Sequence, residues 1–263
     1  TPVHLKGKCD VSNNLSISWI RRNRLGGEWR DGVGVPLSED TESYEVDILN
    51  GATVIRTIAV SSQAANYTAA EQTSDGLTLD VLVGYDSFYK GEHWVPVQVF
   101  AANNGPAVEG YIEIELSQGG GQGDSIYRSP ISLPTQSSKR VVLYVKLNAA
   151  ASTLDVQLRQ NDGSLAAEVS SGPLSRIDRN SLLYGVVSPD AAEFAFLERI
   201  PGSRPDAAVA LLTLDDLPET AVAWNALDVL IFNDTDTTRL TNGQRTALKT
   251  WLANGGHLVV TGG

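Results

Sequence analysis

Hydrophobic and polar residues alternate along the first part of the chain, in short runs separated by turn residues. In residues 15–20 (LSISWI), Leu15, Ile17 and Trp19 fall on one side of a predicted strand. Residues 43–60 (SYEVDILNGATVIRTIAV) alternate in the same way around an Asn-Gly pair, which favours the tight turn of a β-hairpin. Residues 1–76 are therefore predicted to form a small all-β sandwich.

Residues 77–175 repeat this strand pattern. Their strand runs are closed by Gly, Asn-Gly or Asp-Gly, as in LTLDVLVGY, HWVPVQVFAANNG, VEGYIEIELS, KRVVLYVKL and LDVQLRQNDG. This spacing predicts a second sandwich of the immunoglobulin-like type.

The pattern changes from residue 181 onward. The runs LLYGVVS, AAVALLTL, ALDVLIFND and GHLVVTGG are continuously apolar, which is typical of parallel strands buried on both faces. Between them, Thr241 and Gln244 form a capping box for a helix with an apolar face, and Gly255 suits the end of that helix. Residues 181–263 are therefore predicted to be a partial doubly wound α/β domain, following the two all-β sandwiches.

Composition and charge disfavour several classes of partner and of binding site. The formal net charge is −11, which disfavours nucleic acid and anionic membranes as partners. Cys9 is the only cysteine, so an internal disulfide or a thiolate metal cluster is excluded. The three histidines are far apart in sequence and none has a partner at metal-ligand spacing. The sequence has no apolar run long enough for a membrane span, so we predict no direct membrane insertion and no cofactor.

The chain contains no methionine, and its last residues, GGHLVVTGG, stop where a strand would pass into a loop. We therefore expect it to be a piece of something longer.

Arginines and tryptophans are concentrated in residues 18–37. They are Arg21, Arg22, Arg24 and Arg30, with Trp19 and Trp29. We interpret them as the solvent-exposed face of an antiparallel sheet. There, the aliphatic parts of the arginine side chains cover aromatic rings, and nearby acidic residues neutralise the charge. The alternative is contact with a partner protein, for which the candidates are Arg21, Arg22, Arg24 and Trp29.

Acidic residues follow two of the predicted parallel strands. We predict no metal site, and the candidates for one, should it exist, are Asp215, Asp216, Asp234 and Asp236. Carboxylates at the carboxyl ends of such strands could hold Ca²⁺ or Mg²⁺, although the spacing does not match an EF-hand loop. Helix capping by Asp explains the same residues equally well.

Two family resemblances add to this interpretation. The string SWIRRNRLGGEWRDGVGVPLSEDTESYEVDI resembles a fibronectin-type-III-like domain of phage tail-tip and host-specificity proteins, including those of gene transfer agents. The resemblance spans nearly all of residues 1–76 and implies a structural module without catalysis.

Residues 77–263 resemble a bacterial surface protein. HWVPVQVFAANNGPAVEGYIEIEL is similar to its Ig-like domains, and DVLIFNDTDTTRLTNGQRTALKTWLANGGHLVVTGG to the first half of a class I glutamine-amidotransferase-like domain. Active members of this family carry a cysteine nucleophile at a strand-to-helix turn further along, with His and Glu after it. In this sequence the only cysteine, Cys9, lies in another predicted domain.

We therefore predict a non-enzymatic structural or binding protein outside the cytoplasm, on a virion tail or a bacterial cell surface. Its expected partners are other proteins, and oligomer formation is left open. One alternative is a fragment of an amidotransferase- or hydrolase-like enzyme whose catalytic half lies beyond residue 263. A second alternative is a phage tail-tip assembly protein.

Overall fold

The computed structural model describes residues 2–21, 41–50, 52–117, 124–148, 151–199 and 207–262. Its elements fall into a small β block, a β-sandwich and a parallel sheet with helical segments. Within the described ranges, no helix is both long enough and apolar enough to cross a membrane.

The first block contains five strands: β1 (Val3–Cys9), β2 (Leu15–Ile20), β3 (Tyr44–Asn50), β4 (Thr53–Val60) and β5 (Ala64–Tyr67). β1, β2 and β5 form an antiparallel sheet, and β3 pairs with β4, which confirms the predicted hairpin. Trp19, only 6% exposed, packs edge-on against Tyr44 between the two, with ring centroids 5.1 Å apart. The alternation of apolar residues thus builds one small shared core.

A short helix, α1 (Ala69–Gly76), joins this block to the sandwich. It begins with a capping box, in which Thr68 Oγ1 accepts from Glu71 N at 3.2 Å and Glu71 Oε2 accepts from Thr68 N at 2.8 Å. At its other end, a Cβ on Gly76 would lie 2.4 Å from Gly105 Cα, so only glycine permits this close approach to the sandwich.

The Asp75 clamp fixes the first block to α1. Asp75 accepts two hydrogen bonds from Arg56, at 2.7 and 3.0 Å, and one from Tyr67 Oη at 2.9 Å. The hydrogen bond from Arg56 holds the pKa of Asp75 below its ordinary value of 3.8, and burial raises the pKa of Tyr67 to about 12. Because the Asp75 side chain is only 12% exposed, this bidentate pair is poorly screened by water.

The sandwich is made of two antiparallel sheets over one core. Its strands are β6 (Leu77–Val83), β7 (Phe88–Lys90), β8 (Trp94–Asn103), β9 (Val108–Leu116), β10 (Ser125–Leu133), β11 (Ser137–Lys146), β12 (Asp155–Gln160), β13 (Leu165–Ser170) and β14 (Ser175–Ile177). One sheet has the order β10-β9-β12-β13 and the other β11-β8-β6, while β7 and β14 form a separate parallel pair. Alternate residues such as Val97, Val99, Ile112 and Ile114 are fully buried between the sheets. The predicted β-sandwich is therefore present.

The last part of the chain forms a four-stranded, all-parallel sheet of order β16-β15-β17-β18. Its strands are β15 (Leu183–Val187), β16 (Ala208–Leu212), β17 (Val229–Asn233) and β18 (His257–Thr261). Its helices are α2 (Ala221–Trp224) and α3 (Asn242–Ala253), with 3₁₀ segments at Ala191–Arg199, Leu214–Asp216 and Thr237–Arg239. α3 begins with the predicted capping box, since Thr241 Oγ1 accepts from Gln244 N at 3.1 Å.

Both faces of this sheet carry apolar side chains, as the continuous runs predict. One face packs against α2 and α3 through residues such as Trp224, Leu230 and Trp251. On the other face, Tyr184 and Val186 share a smaller cluster with side chains of the 191–199 segment.

The sandwich is docked directly on the parallel sheet. Tyr85, in the turn after β6, is fully buried within the core of the parallel unit, and its hydroxyl donates to Ala223 O at 2.8 Å. Lys90 at the end of β7 is 3% exposed and its Nζ lies 2.5 Å from Asp228 Oδ2, which also accepts from Leu183 N at 2.7 Å. We call Lys90 and Asp228 the junction pair.

Asp75→Asn should weaken the Asp75 clamp and lower the free energy of unfolding of the first block by ~1–3 kcal/mol at pH 7. The clamp needs the carboxylate, whose folded pKa is depressed, so its contribution is present above pH 3.8 and is lost as the pH falls through the lowered pKa. Urea denaturation of both proteins between neutral and strongly acidic pH measures this difference. The control is Asp47→Asn, an exposed position on the β3–β4 hairpin that carries Arg56, and an equal loss there would contradict the clamp.

The junction pair predicts an asymmetry between two substitutions. Asp228→Asn leaves a buried ammonium without its counter-charge and should cost about 3 kcal/mol or more of unfolding free energy. Lys90→Met leaves a carboxylate that is 32% exposed and can be hydrated, so its cost should be nearer 1 kcal/mol. Urea denaturation followed by tryptophan fluorescence compares the two, and the reverse order would show that the pair is not what holds the junction.

Candidate functional site

A cleft of about 410 Å³ opens at the carboxyl ends of β15, β16 and β17. Its charged lining residues are Asp215, Asp234, Asp236 and Arg239. Because parallel strands end at a common edge, the loops that follow them meet there. The structure thus brings three of the four candidate aspartates into one place, which we call the acidic cleft.

Asp216, the fourth candidate, does not line the acidic cleft. Its Oδ2 accepts from both the backbone N and the hydroxyl of Thr213, each at 2.7 Å, and its Oδ1 accepts from Gln98 Nε2 at 3.1 Å. The carboxylate therefore caps its own 3₁₀ segment and links it to β8 of the sandwich, a structural role.

Asp236 is also used locally. It caps the 3₁₀ segment Thr237–Arg239, accepting from Thr238 N at 3.0 Å and from Thr238 Oγ1 at 2.6 Å. The Thr238 hydrogen bonds hold the pKa of Asp236 below its ordinary value of 3.8. Capping, which the sequence analysis gives as the alternative to metal binding, therefore accounts for Asp236.

Asp215 and Asp234 differ from the other two. Both are exposed, and within the described residues neither carboxylate makes a hydrogen bond or an ion pair with another side chain. Asp234 holds a left-handed backbone conformation, φ 45°, while its backbone N donates to Thr261 O at 3.1 Å. The backbone O of Asp215 accepts from Arg140 of the sandwich. Both loops are therefore held by backbone contacts and leave these two carboxylates free to meet an outside group.

The donor set of the acidic cleft is poor for a cation. Among the described residues, no group of three or more His, Cys, Asp or Glu side chains lies close enough to hold a metal ion. Two open carboxylates alone supply fewer oxygens than Ca²⁺ takes.

Of the four candidate residues for contact with a partner protein, the structure describes only Arg21. Arg21 pairs with Glu42 at 3.4 Å, and Glu42 also accepts from Tyr44 Oη at 2.7 Å, a hydrogen bond that holds the pKa of Glu42 below 4.5. This pairing follows the expected neutralisation by nearby acids. Arg22, Arg24 and Trp29 lie outside the described residues.

Sequence reasoning missed the groups at the junction. Tyr85 and Lys90 lie in the run GYDSFYK, where nothing distinguishes them from ordinary strand and turn residues. It also treated the histidines separately, whereas His93 and His257 line one cleft. Only the three-dimensional arrangement brings these residues together.

A protein-family model described as a domain of unknown function (DUF8726) matches residues 76–172, which include β6 to β13 of the β-sandwich. No curated protein matches the chain. One similar solved structure is the CARDB domain of a Pyrococcus furiosus protein in complex with di-metal ions, at 12% identity and a TM-score of 0.26, covering 43% of this chain and all of that one.

Another similar solved structure is a Paenibacillus sp. cycloisomaltooligosaccharide glucanotransferase complexed with cycloisomaltoheptaose. Its identity is 13% and its TM-score 0.28, with 69% of this chain and 27% of that chain covered. Scores this low say nothing about what this chain binds.

Because Asp216 and Asp236 act as caps, millimolar Ca²⁺ should leave the melting temperature of the protein nearly unchanged. A bound ion stabilises the folded state in proportion to its affinity, so a functional site would raise the midpoint by several degrees. Scanning calorimetry with and without Ca²⁺, with Mg²⁺ as the comparison, measures this. A rise that Asp234→Asn abolishes would establish the metal site that we do not predict.

Proposed function

We propose that the chain is a non-enzymatic binding or structural protein that works outside the cytoplasm, on a phage tail or a bacterial surface. In this proposal the two β units act as spacers and the parallel unit binds another protein. The observation that carries the proposal is the acidic cleft, where Asp215 and Asp234 present unpaired carboxylates at the end of a rigidly docked unit.

The charge of the acidic cleft indicates its partner. Arg239 is the one basic residue among its described lining residues, against three aspartates, and the whole chain carries a net charge of −11. Such a cleft attracts a segment of another protein that contains Lys or Arg, and the attraction also speeds encounter.

The joints between the units support the spacer role. The Asp75 clamp ties the first block to α1, and the junction pair together with Tyr85 ties the sandwich to the parallel sheet. Interfaces with buried aromatic and ionic groups hold units in a fixed orientation, which a spacer requires.

We also propose a domain type for each of the three units. The two small sheets of the first block support a fibronectin-III-like tail module, and the sandwich supports an Ig-like surface domain. The order β16-β15-β17-β18, with helical segments on both faces, supports the beginning of a doubly wound unit of the glutamine-amidotransferase type.

A second candidate function is that of an amidotransferase- or hydrolase-like enzyme. The location of the acidic cleft favours it, since α/β enzymes bind substrates at the carboxyl ends of their strands. Within the described part of the chain, the only cysteine is Cys9, on β1 of the first block, and it does not line the cleft. The binding role therefore fits the residues that are present better.

Fluorescence anisotropy with a labelled Lys- and Arg-rich peptide tests the binding role. The double variant Asp215→Asn/Asp234→Asn should bind the peptide at least ~tenfold more weakly, and the affinity of the unaltered protein should fall as salt is added.

The matched control is Glu45→Gln/Glu115→Gln, which changes the net charge equally at two exposed positions outside the acidic cleft. Equal losses in both double variants would mean that the peptide responds to overall charge, and the proposed site would be wrong. Hydrolysis of a glutamine or ester substrate that Asp234→Asn abolishes would favour the enzyme instead.

A further inference from the structure

A second cleft, of about 610 Å³, lies at the opposite edge of the parallel sheet, where the strands begin. We call it the junction cleft. Its polar lining side chains are His93, Asn225, Asp228, Asn254 and His257, and its apolar ones are Leu182, Leu227, Val229 and Trp251. A cleft of this volume, lined by apolar residues and a few polar side chains, is typical of small-molecule sites.

The junction pair brings the histidines together. Lys90 holds the end of β7 against Asp228, and the following turn, closed by His93 N donating to Lys90 O at 3.2 Å, places His93 at the same edge. On the other side, His257 begins β18, and its backbone N donates to Asp228 O at 3.4 Å. Residues separated by most of the chain therefore line one cleft.

The backbone at this site is specialised. Glu92 holds a left-handed conformation, φ 69°, immediately before His93. A Cβ on Gly256 would lie 2.2 Å from the ring of Trp251, so glycine is required for the turn that leads into His257. Unfavourable backbone conformations of non-glycine residues concentrate at functional sites.

Several polar groups in the junction cleft have unused hydrogen-bonding capacity. Within the described residues, the side chains of Asn225, Asn254 and His257 make no hydrogen bond to another residue. His93 Nδ1 donates to Gly91 O at 3.1 Å, which fixes the tautomer in the neutral ring and leaves Nε2 as an acceptor. The cleft thus offers both donors and acceptors to a ligand.

The charge balance selects the class of ligand. Asp228 is the only carboxylate that lines the junction cleft among the described residues, and Lys90 neutralises it. No Lys or Arg among those residues lines the cleft to hold an anion, and no group of three ligating side chains is present to hold a metal ion. The remaining polar groups of the lining are two asparagine amides and two imidazoles. They suit the hydroxyl groups of a ligand, which both donate and accept hydrogen bonds.

We propose that the junction cleft binds a neutral, hydroxyl-rich ligand, a saccharide of about disaccharide size. Its hydroxyls would bond to Asn225, Asn254 and the two imidazoles, and its C–H faces would lie on the apolar wall. This site is at the other end of the sheet from the acidic cleft, so the inference goes beyond the proposed function.

Isothermal titration of the whole chain with maltose, cellobiose, lactose and chitobiose tests this proposal. At least one disaccharide should bind, and Asn254→Ala and His257→Ala should each weaken that binding at least ~tenfold. Both side chains are exposed, so these variants should keep the melting temperature of the unaltered protein.

His4→Ala is the matched control, because His4 is an exposed histidine on β1 outside the junction cleft, and it should leave saccharide binding unchanged. The His257→Ala variant should also keep its affinity for the basic peptide, so that the two sites are tested separately. Absence of binding by every disaccharide at ~10 mM, or equal binding by both cleft variants and the unaltered protein, would overturn the proposal. Binding of inorganic phosphate or Zn²⁺ that His257→Ala abolishes would overturn the assignment to a neutral ligand.

Discussion

The ammonium group of Lys90, buried against the Asp228 carboxylate, determines how the sandwich and the parallel sheet are arranged. A buried charge is expensive to desolvate, so an arrangement that separated Lys90 from Asp228 would leave a costly unpaired ammonium group. Asp228 also accepts from the first amide of β15, and therefore joins the end of β7 to two neighbouring parallel strands. Tyr85, whose ring completes the core of the parallel unit, supplies the apolar part of the same contact.

This docking places two clefts of different chemistry at the two ends of one sheet. The acidic cleft is built from loops that follow the strands, and Arg140 of the sandwich holds one of these loops by donating to Asp215 O. The junction cleft is built from residues that precede the strands, and the sandwich contributes His93 directly. A sandwich in a different orientation would remove the contact of Arg140 with the loop of the acidic cleft. It would also remove His93 from the lining of the junction cleft.

Local signals in the sequence were enough to predict many elements. The capping box of Thr241 and Gln244 located the start of α3, and continuous apolar runs gave the four parallel strands. The sequence also predicted that the acidic residues lie at the carboxyl ends of parallel strands, the edge at which α/β folds bind ligands. Thr68 and Glu71 form an equally readable capping box, but α1 is not among the predicted elements because all of residues 1–76 are assigned to a β-sandwich. The 191–199 segment forms a 3₁₀ helix, which lies between the predicted parallel strands. The junction could not be predicted, since 138 residues separate Lys90 from Asp228 and periodicity carries no information over that distance.

Native-state hydrogen exchange tests most directly whether the sandwich and the parallel sheet form one cooperative unit. The amide of Tyr85 donates to Phe88 O in the sandwich turn, and the amide of Leu183 donates to Asp228. If the junction is fixed, both amides should exchange only through the same large opening, with equal free energies. Exchange of Tyr85 through a much smaller opening, while Leu183 stays protected, would show that the sandwich moves independently and would contradict this account.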